Sequence, residues 1–316
     1  MEVRPEAKTL SEGFLAGMAL AAQGADLAAG AGMGNAVSAA QDTGSGVAGF
    51  GALSAGSMRL NSGSHVDMRS VALMAGVAWG QNFDFGRPTL GAFFEYGTGS
   101  YDTYNSFSNA PSVKGKGDTR YYGGGILGRM DFRNNIYTEA SARMGRLHNE
   151  YKGGDLTDAM DRKATYDSST SYYGFHLGAG YVWSISEKAS LDLYGKYFWT
   201  RVAGDSVTLS TNDPVKFEDA DSSRLRLGGR FAYAVNEMVS PYIGAAWEHE
   251  FDGKARASTY GFDIPAPSIG GSTGIGEIGL SLTPTENRRL SFDLGVQGYT
   301  GKRDGVTGSL QMRWEF

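Results

Sequence analysis

The chain has 316 residues, a formal net charge of −5, no Cys, 8 Pro and 47 Gly, with 17 Tyr, 16 Phe and 5 Trp. Without Cys there is no disulfide framework and no thiolate metal site, which suits passage through an oxidising compartment, and the mild acidity gives no clustered basic face for a nucleic acid. Mean hydropathy is −0.31; no uninterrupted apolar run approaches the ~18 residues of a membrane helix, but a barrel strand is apolar only at alternate positions and escapes that test.

Residues 6–30 open the chain. Leu10, Phe14 and Met18 recur every four residues, the spacing of one helix face. Thr9 with Glu12 three residues later predicts a capping box, and Gly32, Gly34 and Asn35 predict the stop. Arg4 and Lys8 ahead of an apolar stretch imitate a signal peptide. Glu12 and Asp26 interrupt it, so the chain is expected to be a piece of a longer precursor. The helix is expected to be too short and too rich in Gly and Ala to cross a membrane alone.

From residue 42 onward the chain alternates. Val71, Leu73, Val77 and Trp79 share one face. Tyr173, Phe175, Leu177, Tyr181 and Trp183 oppose Gly174, His176, Gly178 and Gly180. Leu191, Leu193, Tyr197 and Trp199 oppose Asp192, Tyr194, Lys196 and Thr200. Leu225, Leu227, Phe231, Tyr233 and Val235 oppose Arg224, Arg226 and Arg230. Ile278, Leu280 and Leu282 oppose Glu277, Gly279 and Ser281, and Leu290, Phe292, Leu294 and Val296 oppose Ser291, Asp293 and Gln297. Side chains of a strand alternate faces, so these are strands between two environments. Punctuation predicts twelve: 44–60, 65–81, 87–103, 118–131, 136–150, 170–184, 189–203, 222–235, 239–253, 273–283, 289–301 and 305–316. In the last, Leu310, Met312, Trp314 and Phe316 alternate with Gln311, Arg313 and Glu315.

Tight connectors at 83–86, 132–135, 185–188, 236–238 and 284–288 alternate with longer ones at 104–117, 152–169, 204–221 and 254–272. The hairpins at 61–64 and 302–304 are short as well. Short turns on one side and long loops on the other are expected of an outer-membrane barrel, and an even strand number puts both barrel ends on the short-turn side. A soluble barrel would turn its apolar face inward. Here one face carries Glu95, Arg129, Asp131, Glu139, Arg143, Lys196, Arg224, Arg226, Arg230, Glu248, Glu250 and Arg313. The other carries Trp79, Trp183, Trp199, Tyr233 and Trp247 near strand ends, like a membrane aromatic girdle. The expected fold is all-β: a 12-stranded antiparallel transmembrane β-barrel with an N-terminal α-helix in its lumen. A barrel of this size has room for roughly one slender helix. Residues 1–41 are expected to form the linker with its pore-plugging helix, and 42–316 the barrel. The charged face is expected to line the lumen, with the arginines of residues 224–230 and Glu248 and Glu250 gripping the helix.

No chemical motif survives its context. Gly274, Gly276 and Gly279 match a dinucleotide fingerprint but lie on a strand rather than before a helix. His65, His148 and His249 fall near long-loop strand ends and His176 on the lumen face; His249 near Asp252 is a conceivable acid–base pair, read here as interfacial polar groups. There is no His-Glu-x-x-His motif and no nucleophile elbow. No catalytic residue, cofactor or metal is expected.

A helix running into about twelve one-sided strands with a terminal aromatic resembles the translocator domain of autotransporters, the type V secretion family. Residues 10–20, with Gln23, Gly24, Ala25, Asp26 and Leu27, look like that family's linker. The resemblance covers essentially the whole chain. It implies a monomeric integral outer-membrane protein in contact with lipid, a passenger domain N-terminal to the chain, assistance from the barrel-assembly machinery, and a linker helix left in the pore. Met312, Trp314 and Phe316 match the family's assembly signal, whereas its usual glycine is here Gln311. Some members cut the linker between two Asn. Here the early linker holds only Asn35, and Asn134 and Asn135 sit in a tight turn, so that cleavage is not expected. The alternatives are a diffusion porin and a barrel hydrolase with a rim site.

Overall fold

The computed structural model describes residues 3–42, 47–107, 112–283 and 290–315. Twelve antiparallel strands close into one barrel: β1 (Val47–Asn61), β2 (His65–Gly80), β3 (Gly86–Asn105), β4 (Val113–Phe132), β5 (Ile136–Thr157), β6 (Lys163–Ser184), β7 (Ala189–Val202), β10 (Ala220–Tyr233), β11 (Val239–Glu250), β14 (Gly271–Leu282), β15 (Leu290–Gly301) and β16 (Arg303–Glu315). Sequence neighbours pair throughout, and β1 closes the sheet against β16. The predicted alternation holds. Leu227, Ile243, Trp183, Leu294 and Met312 are exposed on the outside, while Arg224, Glu248, Glu95 and Arg143 are buried inside.

Four of the five tight connectors are turns at one end. In the 132–135 turn Asn135 takes φ 65°, a conformation Asn tolerates better than most residues. The fifth, at 284–288, lies outside the described residues. At the other end the structure corrects the predicted loops. β4, β5 and β6 run well beyond the spans expected, and the 204–221 and 254–272 stretches contain β8 (Asp205–Thr208), β9 (Pro214–Phe217), β12 (Ala257–Thr259) and β13 (Phe262–Ile264). These four form a separate small sheet in the order β13-β12-β9-β8. The extensions were invisible because Lys114, Lys116 and Asp118 are polar on the outer face and Gly115 and Gly117 stand on the inner one, so apolar alternation vanishes.

The helix also differs from expectation. After a 3-10 turn, Pro5–Ala7, come α1 (Lys8–Leu27), a π-helical stretch Ala28–Gly32 and α2 (Met33–Asp42). Gly32 and Gly34 do not stop it. Contacts with the surrounding wall override their weak propensity, and the extra residue is absorbed in a π-bulge. Its 37 residues, Pro5–Gln41, are long and apolar enough to cross a membrane, contrary to expectation, but the helix is largely buried inside the barrel. The capping box is absent too: Ala7 is the N-cap and makes no side-chain cap bond. Thr9 instead meets Thr103 and Tyr151, and Glu12 meets Ser62, Ser64 and Asn105. Lys8 Nζ donates to Ser64 Oγ at 2.9 Å, in the β1–β2 hairpin at the long-loop end. Arg87, at the start of β3 at the short-turn end, donates to Ala40 O. The helix therefore enters at the long-loop end and leaves at the short-turn end, where β1 begins.

Candidate functional site

The site is the lumen, built as a fit between one helix and an uneven wall. α1 lies mainly against β2–β7, where Tyr101, Tyr121, Tyr151, Tyr166 and Tyr172 point inward and are fully buried or nearly so. Large rings on the wall require small residues on the helix. A Cβ on Gly13 would stand 2.6 Å from Tyr166 Oη, and one on Gly17 would stand 2.9 Å from Leu147 Cδ2. Gly24 likewise faces Tyr121 and Arg143. Leu10, Phe14 and Met18, the row read from sequence, are buried, and Phe14 stacks on Phe217 of the outer sheet at 4.8 Å. The small sheet thus packs over the top of the helix.

Wall side chains also bond the helix backbone, whose carbonyls keep a second lone pair free. Tyr166 Oη donates to Leu10 O (2.9 Å), Asn149 Nδ2 to Gly13 O (2.7 Å), Arg143 to Ala21 O (2.5 Å), Arg224 to Ala22 O (3.2 Å) and Lys196 to Ala29 O (2.6 Å). These bonds hold the helix in depth without asking for particular helix side chains.

Midway along the pore, the helix sets a carboxylate among arginines of the wall. Asp26 accepts from Arg224, Arg226 and Arg303, each at 2.8 Å. Glu248 joins the same arginines at 3.3, 2.7 and 2.5 Å. Three guanidiniums therefore share two carboxylates, one from the helix and one from β11. A buried charge is costly unless paired, so helix and wall each need the other here. Beside this cluster, opposite the tyrosines, a cleft of mixed lining retains about 90 Å³ of free space, with Gln23, Asp26, Ser54, Arg230, Gln297 and Gln311 among its polar residues and Leu27, Met58 and Met68 among its apolar ones. That is room for several water molecules.

The remaining expected lumen residues fall as follows. Arg143 pairs with Glu95 at 2.9 Å, and Tyr172 donates to Glu95. Glu139 meets Lys196 (2.6 Å), His176 (3.2 Å) and Arg129 (3.6 Å). Arg230 pairs with Glu277, not with the helix. Glu250, expected beside the arginines, accepts from Ser222 Oγ and the Ser223 amide. Arg313 is half-buried. Met312 faces outward on β16, and Trp314 pairs through its backbone with Gly49 and Leu290. Phe316 lies outside the described residues. Sequence reasoning missed Arg303 and Asp26 as partners. Arg303 falls by sequence in the short 302–304 connector, although it is in phase with Thr307, Gln311 and Arg313, and Asp26 is an isolated acid in an Ala-rich helix.

Two histidine arrangements bear on chemistry. His249 Nδ1 lies 2.9 Å from Ser272 Oγ on the outside wall, with its ring stacked on Trp247 and edge-on to Phe251. His176 Nδ1 lies 2.8 Å from Ser141 Oγ while its Nε2 faces Glu139. That connectivity resembles a nucleophile–base–acid relay. Lys196 and Arg129 already neutralise Glu139, which leaves it little charge to stabilise an imidazolium, so the group braces the wall.

The Autotransporter beta-domain family matches residues 47–297. The adhesin/invasin TibA of Escherichia coli O78:H11 is 26% identical over 233 residues, covering 72% of this chain and 22% of TibA. YaiT of Escherichia coli K12 is 24% identical over 195 residues, 60% of this chain and 19% of YaiT. The chain thus spans about a fifth of the length of these relatives. Among solved structures, the NalP translocator domain of Neisseria meningitidis superposes with a TM-score of 0.67 at 12% identity, covering 94% of this chain and 98% of that one. The β domain of Bordetella BrkA superposes with 0.66 at 16% identity, covering 85% and 99%.

Proposed function

The chain belongs to the Autotransporter beta-domain family, and from that premise we propose that its lumen helix is the trailing end of a passenger that has crossed the barrel and now closes it. The domain is an integral outer-membrane β-barrel, a translocator for passenger secretion. Its division into a linker, residues 1–41, and a barrel, residues 42–316, is part of this reading. One observation supports it above all: the helix enters at the long-loop end and leaves at the short-turn end. With short turns on the periplasmic side, whatever precedes residue 3 emerges outside the cell. A diffusion channel needs an open lumen, and a helix occupies most of this one.

The passenger partner, the barrel-assembly machinery, the lipid contact and the monomeric state belong to the same reading. So does the terminal signal of Met312, Trp314 and Phe316. A peptide tag placed ahead of Met1 tests the topology. It should be removed by protease added to intact cells, while the barrel stays folded on unboiled gels. Protection of the tag in intact cells, with cleavage only after lysis, would place the N-terminus inside and reverse the reading.

A further inference from the structure

β1 and β16 meet where the sheet closes on itself, paired from Leu60 and Arg303 to Ala48 and Glu315. This seam is weakly furnished. Ala48, Gly49, Gly51, Ala52, Ala55 and Gly56 give β1 few side chains to pack across it, and Gly within a strand adds none of the cross-strand contact that holds sheets together. On the lumen side α2 lies along this junction, against β1, β2 and β16. Asn35, 5% exposed, donates from Nδ2 to Gly51 O and to Met312 O, at 2.7 Å each. Gly51 and Met312 are direct partners across the seam. One amide nitrogen therefore holds a carbonyl on either side of the closure.

We propose that Asn35 is a clasp: when the helix docks, α2 fastens β1 to β16 from within. The proposal rests on the helix occupying the lumen of the inserted barrel. Asn suits the position because its amide has two N–H groups and no charge. Asp has the same shape but no donor, and it would set a carboxylate against two carbonyl oxygens. Ala would leave both carbonyls without the clasp. The chain that fills the pore thus also tightens the barrel, and the seam is looser whenever the lumen holds something else.

Hydrogen–deuterium exchange of the folded full chain tests this with wild type, Asn35→Ala, Asn35→Asp and the control Gln23→Ala. Gln23 accepts a bond from Ser70 on β2, one strand from the seam. Unboiled gel migration verifies folding, and Asn35→Ala serves if Asn35→Asp does not fold. Amides of β1 and β16 should exchange roughly threefold or more faster in the Asn35 variants, the scale of one net hydrogen bond. Those of β5 and β6 should stay unchanged, and Gln23→Ala should leave the seam as in wild type. Unchanged seam exchange with residues 8–42 still protected, or acceleration spread evenly over all strands, overturns the clasp alone. Unprotected residues 8–42 in wild type overturn the docked helix and the clasp with it.

Discussion

Asp26 is the residue whose removal separates a fitted helix from a merely enclosed one. Asp26→Asn leaves three guanidiniums to Glu248. The expected cost to helix docking is about 1–3 kcal/mol, less than for a dry ion pair because the cleft admits water. Single-channel recordings should show brief openings absent from wild type; identical traces would remove Asp26 from the mechanism. On the outer face, Leu227→Arg should cost roughly 2–4 kcal/mol near the bilayer midplane and impair insertion. Changing Arg224, Arg226 and Arg230 together to Gln should leave insertion intact but loosen the helix. If the arginine variant fails to insert and Leu227→Arg is harmless, the inside and outside of β10 are reversed. Faces were legible at this scale because lipid and lumen demand opposite side chains at alternate positions. Partners were not. Arg224 faces Glu250 in register yet reaches Asp26 and Glu248, since long side chains choose partners in three dimensions.

The helix shows where local signals stop being sufficient. Gly13, Gly17 and Gly24 face the wall, whereas Gly34 has open space around it. Sequence alone reads Gly34 as a helix stop and does not say which of the others meet the wall. Gly17→Leu should overpack against Leu147 at about 1–3 kcal/mol and keep the helix from seating. Gly34→Ala should stabilise the helix by about 0.5–1 kcal/mol through propensity. Thermal unfolding followed by gel migration distinguishes the two; equal effects would mean that the helix does not meet this wall. The capping box failed for a related reason: Thr9 and Glu12 had better partners on the barrel than on their own backbone. The outer sheet was missed because its strands are 3–4 residues long, too short for any period to register.

At the scale of the whole molecule, twelve strands enclose a lumen that one helix nearly fills, with a narrow cleft beside it. Barrel and helix were both legible, the first from alternation and turn spacing, the second from apolar residues recurring every four positions. Their fit was not, because it depends on rings, glycines and charges brought together from opposite ends of the chain, as Asp26 and Arg303 are. The central claim is that this helix closes the pore, and planar-bilayer conductance addresses it most directly. The full chain should pass little current, in small steps. The barrel lacking residues 1–42, shown to be folded by its gel migration, should give large, steady steps. Equal conductance with and without the helix would contradict the account.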